Sequence, residues 1–295
     1  VSHRILRDPD WGYLRVDPIP SAEEVDRFYR EEFYARARAG YINDSGQENL
    51  AEEAEYHRRA YDDLAALIEA HLGRIAGLRL ADVGCGYGHF LHYMTGRGAN
   101  GYGVEPVEEG VAHARGLGLA AHCLPIEALA TPPEAERVDL VTMVNVLEHL
   151  REPATILADF ARHWLVEGGH LLLRVPNDFN RWQTIADAAH GLKQWWVVPP
   201  QHINYFDRDA LTTLLARMGF DIVEVTATFP LELFLLMGDV YVGDPVLGKA
   251  CHRKRVAFER TLEAANATDL RRRWYRSLAE LGLGREIIVL ARRRG

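Results

Sequence analysis

Short apolar runs recur through the middle of the chain, and between them apolar residues return every three or four positions. The runs near 78–84, 101–105, 119–124, 138–144 and 169–175 predict strands, with helices between them at 88–96, 107–116 and 153–165. Such alternation builds right-handed βαβ units around a mostly parallel sheet. A helix over 208–218 stops at Gly219 and leads into a sixth strand, Phe220-Asp221-Ile222-Val223-Glu224-Val225. Glu286-Ile287-Ile288-Val289-Leu290-Ala291 is the last strand. Ahead of the first strand, residues 50–73 form an amphipathic helix with Leu64, Leu67, Ile68 and Leu72 on one face.

Three segments fall outside this rhythm. Residues 1–54 are rich in aromatics and charge (Phe28-Tyr29, Phe33-Tyr34, Tyr41) and read as a helical extension. Ser21 and Glu24 have the spacing of a capping box at one helix start. Residues 177–207 interrupt the step from the fifth strand to its helix and carry Trp195-Trp196-Val197-Val198-Pro199-Pro200. Residues 229–284 separate the last two strands and contain helix-like stretches at 249–265 and 269–281. The core is then 55–228 with 285–295.

Composition narrows the setting. At 295 residues with a formal net charge of −8, the chain can bury a large core and shows no general basic face. Arg271-Arg272-Arg273 and Arg292-Arg293-Arg294 read as solvated local runs. Cys85, Cys123 and Cys251 lack paired or metal-ligand spacing, which fits reduced thiols in the cytoplasm. No apolar run is long enough to span a bilayer, and Val1-Ser2-His3-Arg4 lacks the apolar core of a signal peptide.

The chemistry starts at Leu80-Ala81-Asp82-Val83-Gly84-Cys85-Gly86-Tyr87-Gly88, an apolar strand that holds an acid and runs into alternating glycines. The glycines let the chain turn sharply and bring bare backbone against a ligand at the strand's carboxyl end. A dinucleotide fingerprint needs glycine at the sixth position, where this chain has His89. Gly101-Tyr102-Gly103-Val104-Glu105-Pro106 then closes a second strand in an acid, at the position that usually binds ribose hydroxyls.

The D-x-G-x-G-x-G loop resembles motif I of the class I S-adenosylmethionine (SAM)-dependent methyltransferases. Val146-Leu147-Glu148-His149 is similar to the fourth-strand element of ubiquinone-pathway O-methyltransferases. His202-Ile203-Asn204-Tyr205-Phe206 is similar to the H-x-x-Y-F element of sugar and natural-product methyltransferases. The resemblance implies an α/β fold: a Rossmann-like seven-stranded sheet flanked by helices, the last strand antiparallel, with an N-terminal helical lid and a helical insertion before that strand. It implies SAM as cofactor and S-adenosylhomocysteine (SAH) as product. Asp82, Gly84, Cys85, Gly86 and Gly88 would hold it, with Glu105 and Pro106 at the ribose and Asn145 and Val146 at the methionine end. Ile126 and Glu127 would lie at the adenine, although Pro125 stands where relatives carry an aspartate.

The acceptor side is expected to be a small-molecule site, with no nucleic acid and no membrane as partner. In the resembling C-methyltransferases the histidine matching His202 is a general base, preceded by a glutamate where this chain has Gln201. His202 is the first candidate base and His149 the second, with Tyr205 placing the substrate. Fixing the loop through backbone hydrogen bonds is the alternative for His202, and capping or packing at the start of the next helix is the alternative for His149. Trp195, Trp196, Tyr34 and Tyr41 would wall the acceptor pocket. Adjacent Glu148 and His149 supply at most part of a metal site, so no metal is expected. O-methylation leads, with N- and C-methylation close behind. The rivals are a nucleic-acid methyltransferase, an NAD-binding oxidoreductase and a non-catalytic SAM binder.

Overall fold

The computed structural model describes residues 3–33, 51–134 and 136–295. Seven strands form its central sheet: β3 (Arg79–Val83), β4 (Asn100–Glu105), β5 (Ala120–Cys123), β6 (Val138–Val144), β7 (Leu165–Pro176), β9 (Phe220–Ala227) and β10 (Glu286–Arg293). Their order is β5-β4-β3-β6-β7-β10-β9. Strands β3 to β7 pair in parallel, and β10 runs antiparallel to both β7 and β9. The parallel part follows the strand rhythm, and the antiparallel last strand is the one the resemblance implies. Leu140, Val141 and Met143 on β6 are all fully buried, as a central strand covered on both faces requires.

Helices α2 (Ala51–Leu72), α3 (His89–Gly96), α4 (Glu108–Gly116), α5 (Pro153–Asp159), α6 (Arg181–His190) and α7 (Arg208–Arg217) fill the connections. Side chains set several starts. Asn180 Oδ1 accepts from the Trp182 and Gln183 amides at the head of α6, and Asp207 Oδ1 accepts from Ala210 N at the head of α7. The helix expected over 153–165 is shorter. After Asp159 it loosens into a π-helical turn, Phe160–Trp164, which ends where β7 begins.

The N-terminal extension differs from its helical expectation. It opens with β1 (Arg4–Arg7) and β2 (Leu14–Asp17), an antiparallel hairpin, and only then forms α1 (Ala22–Arg27) under the Ser21–Glu24 capping box. Strand β2 also pairs with β8 (Asn204–Tyr205) from the 177–207 insertion. The cause is a separate small core. Val16 meets Trp196, Ile203 and Tyr205 there, all nearly inaccessible, with Ile5, Leu14, Ile19 and Val25 packed around them. Extended chain on both sides buries these residues where an isolated short helix could not. Arg15 ties the hairpin to the main body by donating to Asp8 Oδ2 at 2.9 Å and to the Arg151 carbonyl at 2.8 Å.

The insertion before β10 is helical, as expected: α8 (Glu232–Leu236), α9 (Pro245–Ala264) and α10 (Thr268–Glu280). Of its run Arg271-Arg272-Arg273, expected to be a solvated face, only Arg273 is exposed. Arg271 is 3% exposed and grips Asp63 of α2 through both terminal nitrogens, at 2.5 and 2.9 Å, and Arg272 joins the same carboxylate at 2.9 Å. Arg59 reaches back from α2 to Glu263 at 2.8 Å. Charge pairing thus clamps the insertion onto the helix that precedes the sheet. Removing the shared carboxylate would leave Arg271 buried and unpaired. We predict that Asp63→Ala lowers unfolding stability by about 2–4 kcal/mol in urea titration, and a change below about 0.5 kcal/mol would show the clamp to be ornamental.

Candidate active site

Strands β3, β4, β6 and β7 end on one side of the sheet, and the glycine loop lies across that edge. Gly84 and Gly88 are needed for packing. A Cβ on Gly84 would sit 2.4 Å from Val146 Cγ2, and one on Gly88 would sit 2.8 Å from Ala114 Cβ, both at positive φ. Gly86, also at positive φ, differs: a Cβ there would meet nothing within 4 Å. That glycine turns its bare face to open space, as a ligand cradle does. Cys85 packs inward, its Sγ standing 2.4 Å from where a Cβ of Gly103 would lie, and burial pushes its thiol pKa far up.

Glu105, at the end of β4, holds this loop. Its Oε2 accepts from Gly86 N at 3.1 Å and its Oε1 from Val107 N at 3.1 Å, and the residue is 6% exposed. Pro106 beside it is exposed. Asp82 is buried and accepts from Thr142 Oγ1 at 2.6 Å, which couples β3 to β6 beneath the loop. Asn145 follows β6 in a left-handed conformation, φ 56°, and its Oδ1 is buried with no hydrogen-bond partner. An amide oxygen left in that state suits the ammonium of a methionine group. Val146 packs on Gly84. The cradle at Gly86 and the orphan oxygen of Asn145 therefore fit SAM on two counts.

Glu127 departs from its expected place at the adenine. Its exposed Oε1 takes the amides of Arg151 and Glu152 and so caps the entry to α5. Buried Ile126 stays beside the β5 edge.

On the acceptor side the fold brings β6 and the 177–207 insertion together. His149 and His202 stack edge to face with ring centroids 5.1 Å apart, and the Tyr29 ring of the extension stands 6.0 Å from His149. The two imidazoles are used differently. His149 Nδ1 lies 2.6 Å from the Gln201 carbonyl, so it fastens the insertion to the turn after β6. Burial holds its pKa down to about 4 against the pull of the Gln201 and Asn145 backbone. His202 Nδ1 is buried with no hydrogen-bond partner, and burial, His149 and Arg285 together push its pKa well below the usual imidazole range. The loop-fixing role fits His149 and not the His202 ring.

Three expected pocket residues have structural places. Trp196, 3% exposed, belongs to the small core with the hairpin, and half-buried Trp195 leans on it edge to face at 4.7 Å. Tyr205 is 2% exposed and donates its hydroxyl to the His202 carbonyl at 3.1 Å, which steadies the loop. Tyr34 and Tyr41 lie outside the described residues.

Two site residues were not foreseen, Asp178 and Glu148. Glu148 is 1% exposed, neither carboxylate oxygen has a hydrogen-bond partner, and burial raises its pKa far above the carboxylate range. Among the described residues, Glu148, His149 and His202 form the one group whose donor atoms could share an ion, all within 4.8 Å of one another. Burial disfavours the charged carboxylate of Glu148, which weakens the set as an ion site, while the carbonyl on His149 Nδ1 would leave Nε2 to ligate. No metal enters the chemistry below.

The methyltransferase domain family matches residues 54–225, more than half of the chain. This chain belongs to that family. The methyltransferase is 32% identical over 181 residues to the ubiquinone biosynthesis O-methyltransferase of Idiomarina loihiensis, covering 57% of this chain and 73% of that protein. It is 34% identical over 164 residues to the tRNA U34 carboxymethyltransferase of Stutzerimonas stutzeri, covering 52% and 48%. The chain thus spans about half the length of the first curated relatives it matches. In fold it resembles the plantazolicin methyltransferase BpumL in complex with SAH, at TM-score 0.54, 12% identity and coverage of 92% and 94%. It also resembles the SAH-bound magnesium protoporphyrin IX methyltransferase of Synechocystis, at TM-score 0.52, 19% identity and coverage of 70% and 92%. The methyltransferase is SAM-dependent. The relatives divide over the acceptor.

The glycines of the methyltransferase loop can be separated by experiment. We predict that Gly84→Ala lowers thermal stability through its clash with Val146, an overpacking of about 1–3 kcal/mol on top of left-handed strain. Gly86→Ala should cost only that strain, about 1–2 kcal/mol, while weakening SAH binding in calorimetry at least ~10-fold, about 1.4 kcal/mol. Unchanged SAH affinity in Gly86→Ala would remove the loop from the cofactor site.

Proposed function

We propose that this methyltransferase acts on a small-molecule acceptor, O-methylation leading over N- and C-methylation, with His202 taking the acceptor's proton. The observation that carries the reading is the half-buried His202 imidazole, edge to face with His149 beside the turn after β6 and not spent on fixing the loop. A neutral imidazole is the form that can receive a proton, and burial keeps this one neutral. Bound SAM supplies an activated methyl carbon for in-line displacement. Glu105 would orient the ribose, Asn145 the methionine ammonium, and the Ile126 backbone the adenine. Tyr205 and His149 fix the loop that presents His202. The Tyr29 ring stands 6.0 Å from His149, and it and Trp195 would border an apolar or ring-shaped acceptor.

The tRNA-modifying relatives suggest a rival acceptor. Against it stand the net charge of −8 and the prior commitment of four of the six arginines in the basic runs, with Arg273 and Arg292 exposed. Arg271 and Arg272 serve Asp63, Arg293 donates to the Leu165 carbonyl, and Arg294 pairs with Asp221. A phosphate backbone needs such cations unpaired on one face. No helix among the described residues is long and apolar enough to cross a membrane. The free thiols of Cys85, Cys123 and Cys251 accord with a reducing cytoplasm.

Incubation with methyl-labelled SAM, a metabolite extract and, separately, total tRNA tests the proposal. Label should enter a low-molecular-weight product. Label confined to tRNA would overturn the acceptor class. His202→Gln keeps a hydrogen-bonding side chain that cannot titrate, and it should slow transfer by about 10²–10⁴ with SAH affinity kept within about twofold, roughly 0.4 kcal/mol. Undiminished transfer would reject His202 as base.

A further inference from the structure

We propose that Asp178 is a positioning residue that holds the His202 imidazole with its proton on Nδ1, leaving Nε2 bare to receive the acceptor's proton. This rests on the reading of His202 as proton acceptor and adds the residue that sets its tautomer. In the resembling enzymes a glutamate precedes the histidine. Gln201 here carries no charge and offers its backbone carbonyl to His149. The carboxylate facing His202 comes from the opposite end of the same insertion, two residues past β7.

The geometry is built on both sides of the pair. The Asp178 amide donates to the Phe206 carbonyl at 3.2 Å, and Asn177 forms a bridge with Phe206, so the two segments are zipped together beside the ring. His202 is held by its own backbone, its N–H donating to the Val198 carbonyl at 3.2 Å and its carbonyl accepting from Tyr205. Asp178 is 2% exposed. Its Oδ1 accepts from Gln183 Nε2 at 3.2 Å and faces Arg285 Nη1 at 3.5 Å. Its Oδ2 is turned to His202 Nδ1, 4.0 Å away. One oxygen is anchored and the other is offered to the imidazole. The gap exceeds the hydrogen-bonding range of about 2.7–3.2 Å, and contacts of this kind tighten when substrate binds.

Charge distinguishes Asp178 from the other acid nearby. Glu148 lies against the same histidines, its Oε1 3.6 Å from His149 Nε2, but burial pushes it toward its neutral form and it faces His149 rather than His202. For Asp178, burial, Glu232 and Glu286 raise the pKa, Arg285 and Gln183 lower it, and it settles at about 6. It is therefore ionised in the neutral range and can face an imidazolium. In the reaction the acceptor's proton goes to Nε2 and the acceptor's electron pair bonds the methyl carbon. The sulfur keeps the pair of the bond that breaks. The charge formed on His202 then lies between its Nδ1–H and Asp178, an arrangement that resists the wrong tautomer as well as stabilising the cation.

The test is long-range proton–nitrogen NMR of the full chain with SAH at pH 7.5, with His202 assigned from the spectrum of His202→Gln. The expected spectrum shows Nδ1 as the protonated nitrogen and Nε2 as the bare one. A wild-type His202 carrying its proton on Nε2 overturns the proposal by itself, whatever the variants do. Asp178→Asn should mix or invert the tautomers and slow label transfer into the metabolite extract at least ~10-fold at unchanged SAH affinity, and Asp178→Glu should restore part of both. A variant that keeps the wild-type tautomer and rate would also overturn it. Failure of the wild-type protein to label any small molecule would instead strike the acceptor reading and leave the tautomer result standing.

Discussion

The Glu105 carboxylate is the contact on which the site depends. One oxygen holds the Gly86 amide, the other holds the Val107 amide that enters α4, and the residue sits at the end of β4 beside the glycine turn. The loop is therefore shaped by a charge fixed to the neighbouring strand and not by glycine freedom alone. Parallel pairing of β3 with β4, in register from Arg79 opposite Asn100 to Val83 opposite Val104, brings the acid to that position. A carboxylate has about four acceptor positions, enough for two amides and a ribose diol. The same group orders the loop, and the proposed ribose contact would add to that role.

A second constraint lies at the far side of the same edge. The antiparallel β10 starts opposite the end of β7, and this sets Glu286 beside Arg174, with Nε–Oε1 at 2.9 Å and Nη2–Oε2 at 2.6 Å. Burial works against the Glu286 charge, but Arg174, Arg255 and Thr228 outweigh it and hold its pKa below the usual value. Arg285, one residue earlier, faces Asp178 and Glu232. A strand reversal that a parallel sheet does not need is thus what brings Arg285 beside the acceptor-side acids. Breaking any member would leave a buried charge uncompensated, which makes this edge rigid.

Much of this was legible in the residues because the signals were local. Strand runs, the capping box at Ser21, the glycine loop and the acid at Glu105 each lie within one short segment. What stayed hidden depends on pieces distant in sequence. The hairpin at 4–17 has too few residues to show periodicity, and its reason for being extended, the Trp196 core, lies nearly two hundred positions on. Glu127 looked like a ligand because its neighbours match the adenine segment, yet the start of α5 claims its carboxylate. Arg271 looked solvated as part of a basic run, and only the fold reveals Asp63 opposite it. Asp178 gave no signal at all, since nothing in the sequence around it mentions His202.

The central claim is that Glu105 joins the loop to a bound nucleoside. Calorimetry of SAH binding to Glu105→Ala tests it most directly. Loss of the charged acceptor should weaken binding by about 1.5–3 kcal/mol, with the chain still folded by circular dichroism. Affinity within about twofold of wild type, roughly 0.4 kcal/mol, would contradict the account.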